Sequence, residues 1–287
     1  MLSVVSRLAA IVALLFAVAS CGGSRNGGGS AGPDPYLLGR VIQGWGANDR
    51  GQLGDGSNLQ RLTPTPVRAL DNIRAVAAGG AGSLALLTDG TVWQWGAGQL
   101  LPVQVPGLSG VTAIAAGGAH YLALTSSHQV YAWGAGGSGQ LGDATTTNHA
   151  TPVQVNNLTN VLAIAAGRAH SVAIRTDFSL VAWGANDKGQ LGDGTTTERL
   201  TPVAVPGLKA IEVESSADTT LAVTTDVTAV GWGANNACQL GLNPPQSGEY
   251  APNALGNLPS DHPPCQSSRL GRRRWMLVGE VGCGGGL

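Results

Sequence analysis

A glycine-rich phrase recurs along this chain at nearly constant spacing, and this recurrence limits the fold more than any other feature. It reads WGANDRGQLGDGSN from Trp45, WGAGGSGQLGDATT from Trp133, WGANDKGQLGDGTT from Trp183 and WGANNACQLGLNPP from Trp232. A shortened copy, WGAGQLLPVQV, begins at Trp95 and has lost 12 residues after its Trp-Gly-Ala. The five tryptophans lie 50, 38, 50 and 49 residues apart. A period of this size indicates a repeat architecture.

Each repeat contains four short runs typical of β-strands. In one unit these runs lie near 152–155, 161–166, 171–175 and 180–184. Alternation along the last run places Val181 and Trp183 on one face, which predicts that the tryptophan packs in a core. The runs AIAAG at 113–117 and 163–167 carry small side chains, as suits strands crowded near a central axis. We therefore predict an all-β fold, a β-propeller of four-stranded antiparallel blades.

The recurring phrases GGAHYLALT, VYAWG and GQLGD resemble the regulator of chromosome condensation repeat family, and the resemblance covers residues 41–258. It implies a propeller, commonly of seven blades. The repeats supply material for about four and a half blades, so we expect a propeller that is incomplete relative to a seven-bladed ring. The founder of the family acts on chromatin and on a small GTPase, whereas other members are secreted inhibitors or interaction modules. The fold alone does not choose among these functions.

The acids of the glycine-rich phrase do not recur as a metal site would require. The second acid is Asp55, Asp143 and Asp193 in three copies but Leu242 in the last, and the first acid is missing from two of the four full-length copies. We therefore expect a structural turn in which the aspartate bonds nearby backbone amides. We predict no metal ligands and no cofactor.

Two histidines, His120 and His170, occupy matching positions in the phrases GGAH and GRAH. The same position is assigned to Gly82 in the first copy and to Asp218 in the fourth. A histidine repeated in this way is more typical of an inter-blade hydrogen bond than of a general base. We likewise expect the repeated tryptophans to be core residues without a ligand role: Trp45, Trp133, Trp183 and Trp232.

The sequence contains no Gly-x-Ser-x-Gly, no His-Glu-x-x-His and no paired metal-spaced Cys and His motif, and we predict no catalytic residues. A binding module is therefore favoured over an enzyme. The alternative is an extracytoplasmic lyase or hydrolase with its site at the propeller axis. Residues 41–265 carry nine Lys and Arg against fifteen Asp and Glu, which disfavours nucleic acid as a partner. The expected partner is a protein or a glycan.

The N-terminus predicts export. Residues 1–20 resemble a signal peptide, and Val18-Ala19-Ser20-Cys21 resembles a lipobox, which predicts lipid on Cys21; an ordinary signal cleavage nearby is the alternative. The predicted location is a membrane-anchored lipoprotein of the outer membrane or cell surface, or a secreted protein. Residues 21–40 form a Gly/Ser-rich tether, and 41–265 hold the propeller repeats. Residues 266–287 form a basic tail without repeats, either frameshifted or disordered.

Loops on a rigid scaffold are where binding concentrates. The chain direction places the GRAH loop and the NDKGQLGDG loop of one unit side by side on one face, opposite the tight hairpins. On this face the side chains that are not repeated are Arg50, Arg168, Asp187 and Lys188, which we predict as binding residues. The shortened second repeat leaves a notch beside Gly98. In an oxidising compartment, the sequence is equally consistent with a disulfide between Cys238 and Cys265 and with no such bond, because the disulfide would leave Cys283 without a partner.

Overall fold

The computed structural model describes residues 42–80, 82–236, 239–240 and 249–254, all of which belong to the compact unit Tyr36–Cys265. These residues form β-strands joined by turns. Within this part of the chain no helix has the length and apolar character that crossing a membrane requires. The predicted signal peptide, the lipidation site Cys21, the tether and the basic tail lie outside the described residues, as do Cys238 and Cys265.

The strands form one two-stranded sheet and four blades of four antiparallel strands. Blade 1 contains β1 (Gln43–Gly46) and β2 (Arg61–Pro66). Blade 2 contains β3 (Ile73–Ala78), β4 (Gly82–Leu87), β5 (Val92–Gly96) and β6 (Gln99–Gln104). Blade 3 contains β7 (Val111–Ala116), β8 (His120–Thr125), β9 (Val130–Gly134) and β10 (His149–Gln154).

Blades 4 and 5 share one long strand. Blade 4 contains β11 (Val161–Ala166), β12 (His170–Arg175), β13 (Ser179–Gly184) and the first part of β14 (Arg199–Ser216). Blade 5 contains the second part of β14, β15 (Thr219–Thr224), β16 (Ala229–Gly233) and β17 (Glu249–Ala254). Because β14 pairs with β13 at its start and with β15 at its end, the two blades are joined in one seven-stranded sheet.

The predicted all-β propeller is confirmed, and the described residues contain the expected four blades and a partial one. The predicted runs at 161–166, 171–175 and 180–184 differ from β11, β12 and β13 by at most one residue at either end. Their grouping with the run near 152–155 is wrong. That run belongs to β10, which pairs with β9 in blade 3, because the chain crosses to the next blade only after this outer strand.

The outer strand of every blade carries a proline beside a break in strand pairing. In all five blades the register shifts between the outer strand and the strand beside it. The prolines are Pro64, Pro102, Pro152, Pro202 and Pro252. Proline lacks a backbone N–H and is tolerated at edges and bulges. These residues therefore also limit pairing of the exposed edges with other chains.

The hydrophobic core lies between successive blades, where side chains of one sheet pack against side chains of the next. Between blades 3 and 4, Leu122 and Leu124 of β8 cluster with Val181 and Trp183 of β13. The same arrangement repeats one blade later, where Trp232 joins the cluster of β12 and β13 side chains. Burial of apolar surface between blades is thus the main contribution to stability.

Candidate interaction face

The inner strands meet around a shallow cleft of about 280 Å³. Its lining comes from the last residues of β3, β7, β11 and β14 and from the turns that follow them, and consists of Ala, Gly and Ser with Arg168. In one of these turns, the Gly118 N–H lies 3.1 Å from the carbonyl oxygens of Gly167 and Arg168 in the next blade. A Cβ on Gly118 would lie 2.5 Å from the Arg168 carbonyl oxygen. Gly117, the last residue of the predicted run 113–117, is equally confined, since its Cβ would lie 2.4 Å from the Gly167 carbonyl oxygen; close approach therefore requires glycine at both positions.

The strand 1–2 and strand 3–4 connections lie side by side in blades 3 and 4. The Ala185 N–H, after β13, donates to the Ala169 carbonyl, after β11, at 2.9 Å. Blade 3 has the same contact between Ala135 and Ala119 at 2.8 Å. We call the surface formed by these connections in all blades the loop face.

Arg168 joins two blades on the loop face. Its guanidinium donates through Nε and one terminal nitrogen to both carboxylate oxygens of Asp218, which lies in the corresponding turn of blade 5. The Arg168 side chain remains 63% exposed, whereas Asp218 is 15% exposed. Arg168 therefore stands at the cleft edge with its charge already paired, which the sequence did not predict.

The other predicted binding residues lie on the same face. Lys188 Nζ pairs with Asp187 at 3.1 Å, and both side chains are substantially exposed. The Arg50 carbonyl oxygen accepts a 2.9 Å hydrogen bond from the Gly98 N–H, so Arg50 borders the notch left by the shortened repeat. A Cβ built on Gly98 would meet no atom within 4 Å, and the notch is open there. The structure therefore brings Arg168 beside the cleft but places Arg50 at the notch.

The recurring aspartates hold the long loops closed. Asp55 and Asp193 each accept a hydrogen bond from the backbone N–H two residues later, at 2.9 and 3.0 Å. Each also pairs with an arginine of the outer strand, Arg61 or Arg199. Asp143 makes the corresponding backbone bond and lies 2.9 Å from His149 Nε2. These contacts are those of a turn.

Burial raises the pKa of Asp55, but hydrogen bonds from Ser57, Arg61 and Asn48 outweigh this effect and lower its pKa to about 2. No group of three or more potential metal ligands occurs among the residues that the structure describes.

Two asparagines of the loops were not singled out from the sequence. Asn48 is 1% exposed; its amide donates to Asp55, and its oxygen accepts from the Leu53 N–H at 2.9 Å. Asn186 makes the same contacts with Asp193 and with Leu191. The Asn of the phrase WGAN, present in three of the four full-length copies, was the signal that could have identified them.

The two repeated histidines bond to the next blade. His120 Nε2 lies 2.9 Å from Ser171 Oγ, and His170 Nε2 lies 2.9 Å from Thr220 Oγ1. Both imidazoles are fully buried. The register shows that the equivalent of His170 in blade 5 is Thr219, paired with Gly233, rather than Asp218 as the sequence alignment assigned.

A backbone carbonyl completes each of these junctions. Ser171 Oγ donates to the Gln140 carbonyl at 2.9 Å, and Trp183 Nε1 donates to the same oxygen at 2.9 Å. At the next junction Thr220 and Trp232 donate in the same way to the Gln190 carbonyl. The Gln of the phrase GQLG is therefore important for its carbonyl, which accepts two bonds from the following blade.

The structure buries Trp133, Trp183 and Trp232 but leaves Trp45 63% exposed. The prediction that Trp45 is a core residue is wrong for the described chain. The buried tryptophans are covered by the blade that precedes them, and among the described residues no blade precedes blade 1.

The regulator of chromosome condensation (RCC1) repeat model matches residues 42–86, 127–174 and 179–223. A second model of this repeat matches residues 111–140 and 161–190. The chain belongs to this family. The matched RCC1 repeats include the inter-blade histidines, the Gln carbonyls and the loops closed by aspartate.

Curated relatives match over single stretches. An RCC1 domain-containing mitochondrial protein of Arabidopsis thaliana, RUG3, is 46% identical over 56 residues, which are 19% of this chain and 13% of that protein. The ultraviolet-B receptor UVR8 of the same plant is 40% identical over 60 residues, 20% of this chain and 14% of the receptor. The matches thus span about one seventh of either relative.

Solved RCC1 structures match over a larger part of the chain. Human WBSCR16 aligns with a TM-score of 0.67 and 21% identity, covering 75% of this chain and 67% of that one. Yeast RCC1 (Prp20), solved bound to Kap60, aligns with a TM-score of 0.68 and 22% identity over 83% of this chain and 66% of Prp20. A further Prp20p structure, from Saccharomyces cerevisiae, was described with its binding to Gsp1p and histones. These likenesses establish the propeller fold.

Proposed function

We propose that this RCC1-repeat propeller is an exported interaction module that binds a protein or glycan through its loop face. The observation that carries the proposal is that repeated and non-repeated polar side chains differ in their contacts. The repeated histidines, asparagines and loop aspartates form hydrogen bonds within the propeller. The charged side chains that are not repeated, Arg168 and Lys188, extend from the loop face. Exposed, variable charges on a rigid scaffold are suited to recognition.

A protein is the first candidate for the partner. Kap60, Gsp1p and histones, with which the Prp20 structures were described, are proteins. The negative balance of residues 41–265 argues against a phosphate backbone as ligand. The cleft lining supplies small side chains and backbone, so a partner would contact the rim, where Arg168 lies.

The test is a pull-down from envelope extract, with a glycan array as a second arm. The Arg168→Ala/Lys188→Ala variant should lose the captured partner. Arg175→Ala/Lys209→Ala is the matched control, since it removes the same residue types on the hairpin face, where both side chains act on Asp177. Equal loss in both variants, or in neither, would refute the loop face as the binding surface.

The ion pair of Arg168 requires one more variant. Asp218→Ala removes the partner of Arg168 and leaves the arginine in place. If Arg168 contacts the ligand, Asp218→Ala retains binding while Arg168→Ala loses it. If the pair only joins blades 4 and 5, both variants weaken binding to the same degree and lower the melting temperature together.

We further propose that the module is held at the membrane by lipid on Cys21, because a Val-Ala-Ser-Cys sequence ends the apolar N-terminal run. Mass spectrometry of the mature protein should find a lipidated Cys21 at its N-terminus, and Cys21→Ser should release the protein from the membrane fraction. An unmodified N-terminus at another residue would contradict the anchor without affecting the proposed binding face.

A further inference from the structure

The junctions on both sides of blade 4 contain the same buried histidine arrangement. At the first, His120 of blade 3 meets Ser171 of blade 4, and at the second, His170 of blade 4 meets Thr220 of blade 5. The Ser171 and Thr220 hydroxyl groups donate their hydrogens to the Gln140 and Gln190 carbonyl oxygens, respectively. Each hydroxyl oxygen must therefore accept from the histidine, which assigns the proton to Nε2.

The other ring nitrogen has no partner. Nδ1 of His120 and of His170 is buried without a hydrogen bond. The His120 ring lies against the backbone of the preceding turn, where a Cβ on Gly117 would be 2.6 Å from Nδ1. The His170 ring lies in the same way against Gly167. A second proton would thus place an N–H donor, and a positive charge, at a buried position where no protein group is placed to accept the hydrogen bond.

We propose that His120 and His170 form an acid-sensitive latch, in which neutral imidazoles hold blade 4 to both of its neighbours and proton uptake at Nδ1 opens these junctions. The first step is a local opening that exposes the ring to water, where it takes up the proton. Closing then requires that the proton leave. The latch is independent of what binds at the loop face.

Among the described residues, no carboxylate contributes to the pKa shift of either histidine. Burial lowers the pKa of His120 to about 4, and burial together with the like charge of His120 lowers that of His170 to about 3. Arg168 and Asp218, in the adjacent turns, neutralise each other. Tyr121, next to His120, has a pKa raised by burial and stays neutral.

The direction of the pH dependence follows from the difference between the folded and unfolded pKa values of the two histidines. The folded pKa of each histidine lies below the unfolded value of 6.5. The closed junction is therefore fully stable above about pH 6.5 and loses stability as the pH falls from there towards 4 and 3. For each histidine, the equilibrium constant for opening its junction should be roughly 30-fold larger at pH 5 than at pH 8.

The chain supplies its own controls. At the junction of blades 2 and 3 the histidine position is Gly82, so this junction has no group of this kind to titrate. His128 also joins blades 3 and 4, through Nδ1 and the Val161 carbonyl at 2.9 Å. An imidazole can donate from Nδ1 in either charge state, so this bond survives protonation.

The test is amide hydrogen exchange of the full chain at pH 8 and pH 5, corrected for the intrinsic exchange rate. In the wild type, the opening equilibrium for peptides of blades 4 and 5 should rise roughly 30-fold, and for blade 2 less than threefold. His120→Gln/His170→Gln, whose Nε2 donates without titrating, should abolish the rise, whereas His128→Gln should retain it. A rise that persists in the double variant, or that is equal in blade 2, overturns the latch.

A second measurement needs no variant. In the wild type, NMR titration of the imidazole protons should find two of the five histidines unprotonated down to pH 5. If all five titrate near pH 6.5, the latch is refuted even where the double variant fails to fold.

Discussion

The junction between blades 2 and 3 differs from the junctions around blade 4. At junctions 3/4 and 4/5, the loop carbonyl of Gln140 or Gln190 accepts from a tryptophan and from a hydroxyl. At junction 2/3 the second repeat has lost its long loop and with it that carbonyl. Here Trp133 Nε1 donates instead to Gln94 Oε1 at 2.6 Å.

The histidine position changed with the loop. Gly82 stands in place of the histidine, and Tyr121 of blade 3 stands where blade 4 has Ser171. A Cβ on Gly82 would lie 2.6 Å from the Tyr121 hydroxyl, so the phenol fills the space that the imidazole occupies elsewhere. Tyr121 also stacks near Trp133, with ring centroids 5.6 Å apart. The residues that differ at this junction, Gly82 and Tyr121, come from two different repeats and fit each other. The differences between repeats are therefore best compared junction by junction.

The largest effect should come from removing a tryptophan of a complete junction. Trp183 is fully buried and donates to Gln140, so Trp183→Ala should lower the free energy of unfolding by about 3–5 kcal/mol. Trp45→Ala, at an exposed equivalent position, should cost less than about 1 kcal/mol. Chemical denaturation of both variants measures the difference. Equal losses would mean that the comparison of covered and uncovered tryptophans is wrong.

The close contact between Gly82 and Tyr121 tests whether Tyr121 takes the place of the histidine at junction 2/3. Gly82→Ala should destabilise by about 1–3 kcal/mol, because the new Cβ overlaps the Tyr121 hydroxyl and the Trp95 carbonyl. In a Tyr121→Ser background the same substitution should cost about 1 kcal/mol less. A double-mutant cycle with no coupling would show that Tyr121 does not replace the histidine.

The long loops depend on their aspartates. Asp55→Asn should cost about 1–3 kcal/mol at pH 7, because the ion pair with Arg61 is lost and a buried hydrogen-bond network is broken. Since the folded pKa of about 2 lies below the unfolded value of 3.8, this contribution is present above about pH 4 and is lost as the pH falls towards 2. Wild type and variant should therefore converge in stability near pH 2; a constant gap would contradict this origin.

The smallest effect is expected on the loop face. Lys188 pairs with an exposed Asp187, so Lys188→Ala should change the unfolding free energy by less than about 0.5 kcal/mol. Thermal unfolding of this variant checks that any loss of partner binding reflects the surface and not the fold. A loss above 1 kcal/mol would give Lys188 a structural role.

Much of the architecture could be predicted because it is repeated. Three of four strands in the chosen repeat were placed to within one residue, since alternation and Gly, Pro, Asn and Asp boundaries are local signals. The inter-blade role expected for His120 and His170 rested on their recurrence at matching positions. The errors lie where position depends on another repeat: the sheet to which β10 belongs, the exposure of Trp45, and the assignment of Asp218.

The sequence alone determined the period, the strand content, the propeller fold and the residues repeated in every blade, because these follow from patterns within about 50 residues. Only the tertiary structure showed which atoms meet between blades: Ser171 with the Gln140 carbonyl, His120 Nε2 with Ser171, Arg168 with Asp218, and Tyr121 against Gly82. Each of these contacts joins two repeats whose separation in the chain carries no local pattern. Close packing between blades fixes them.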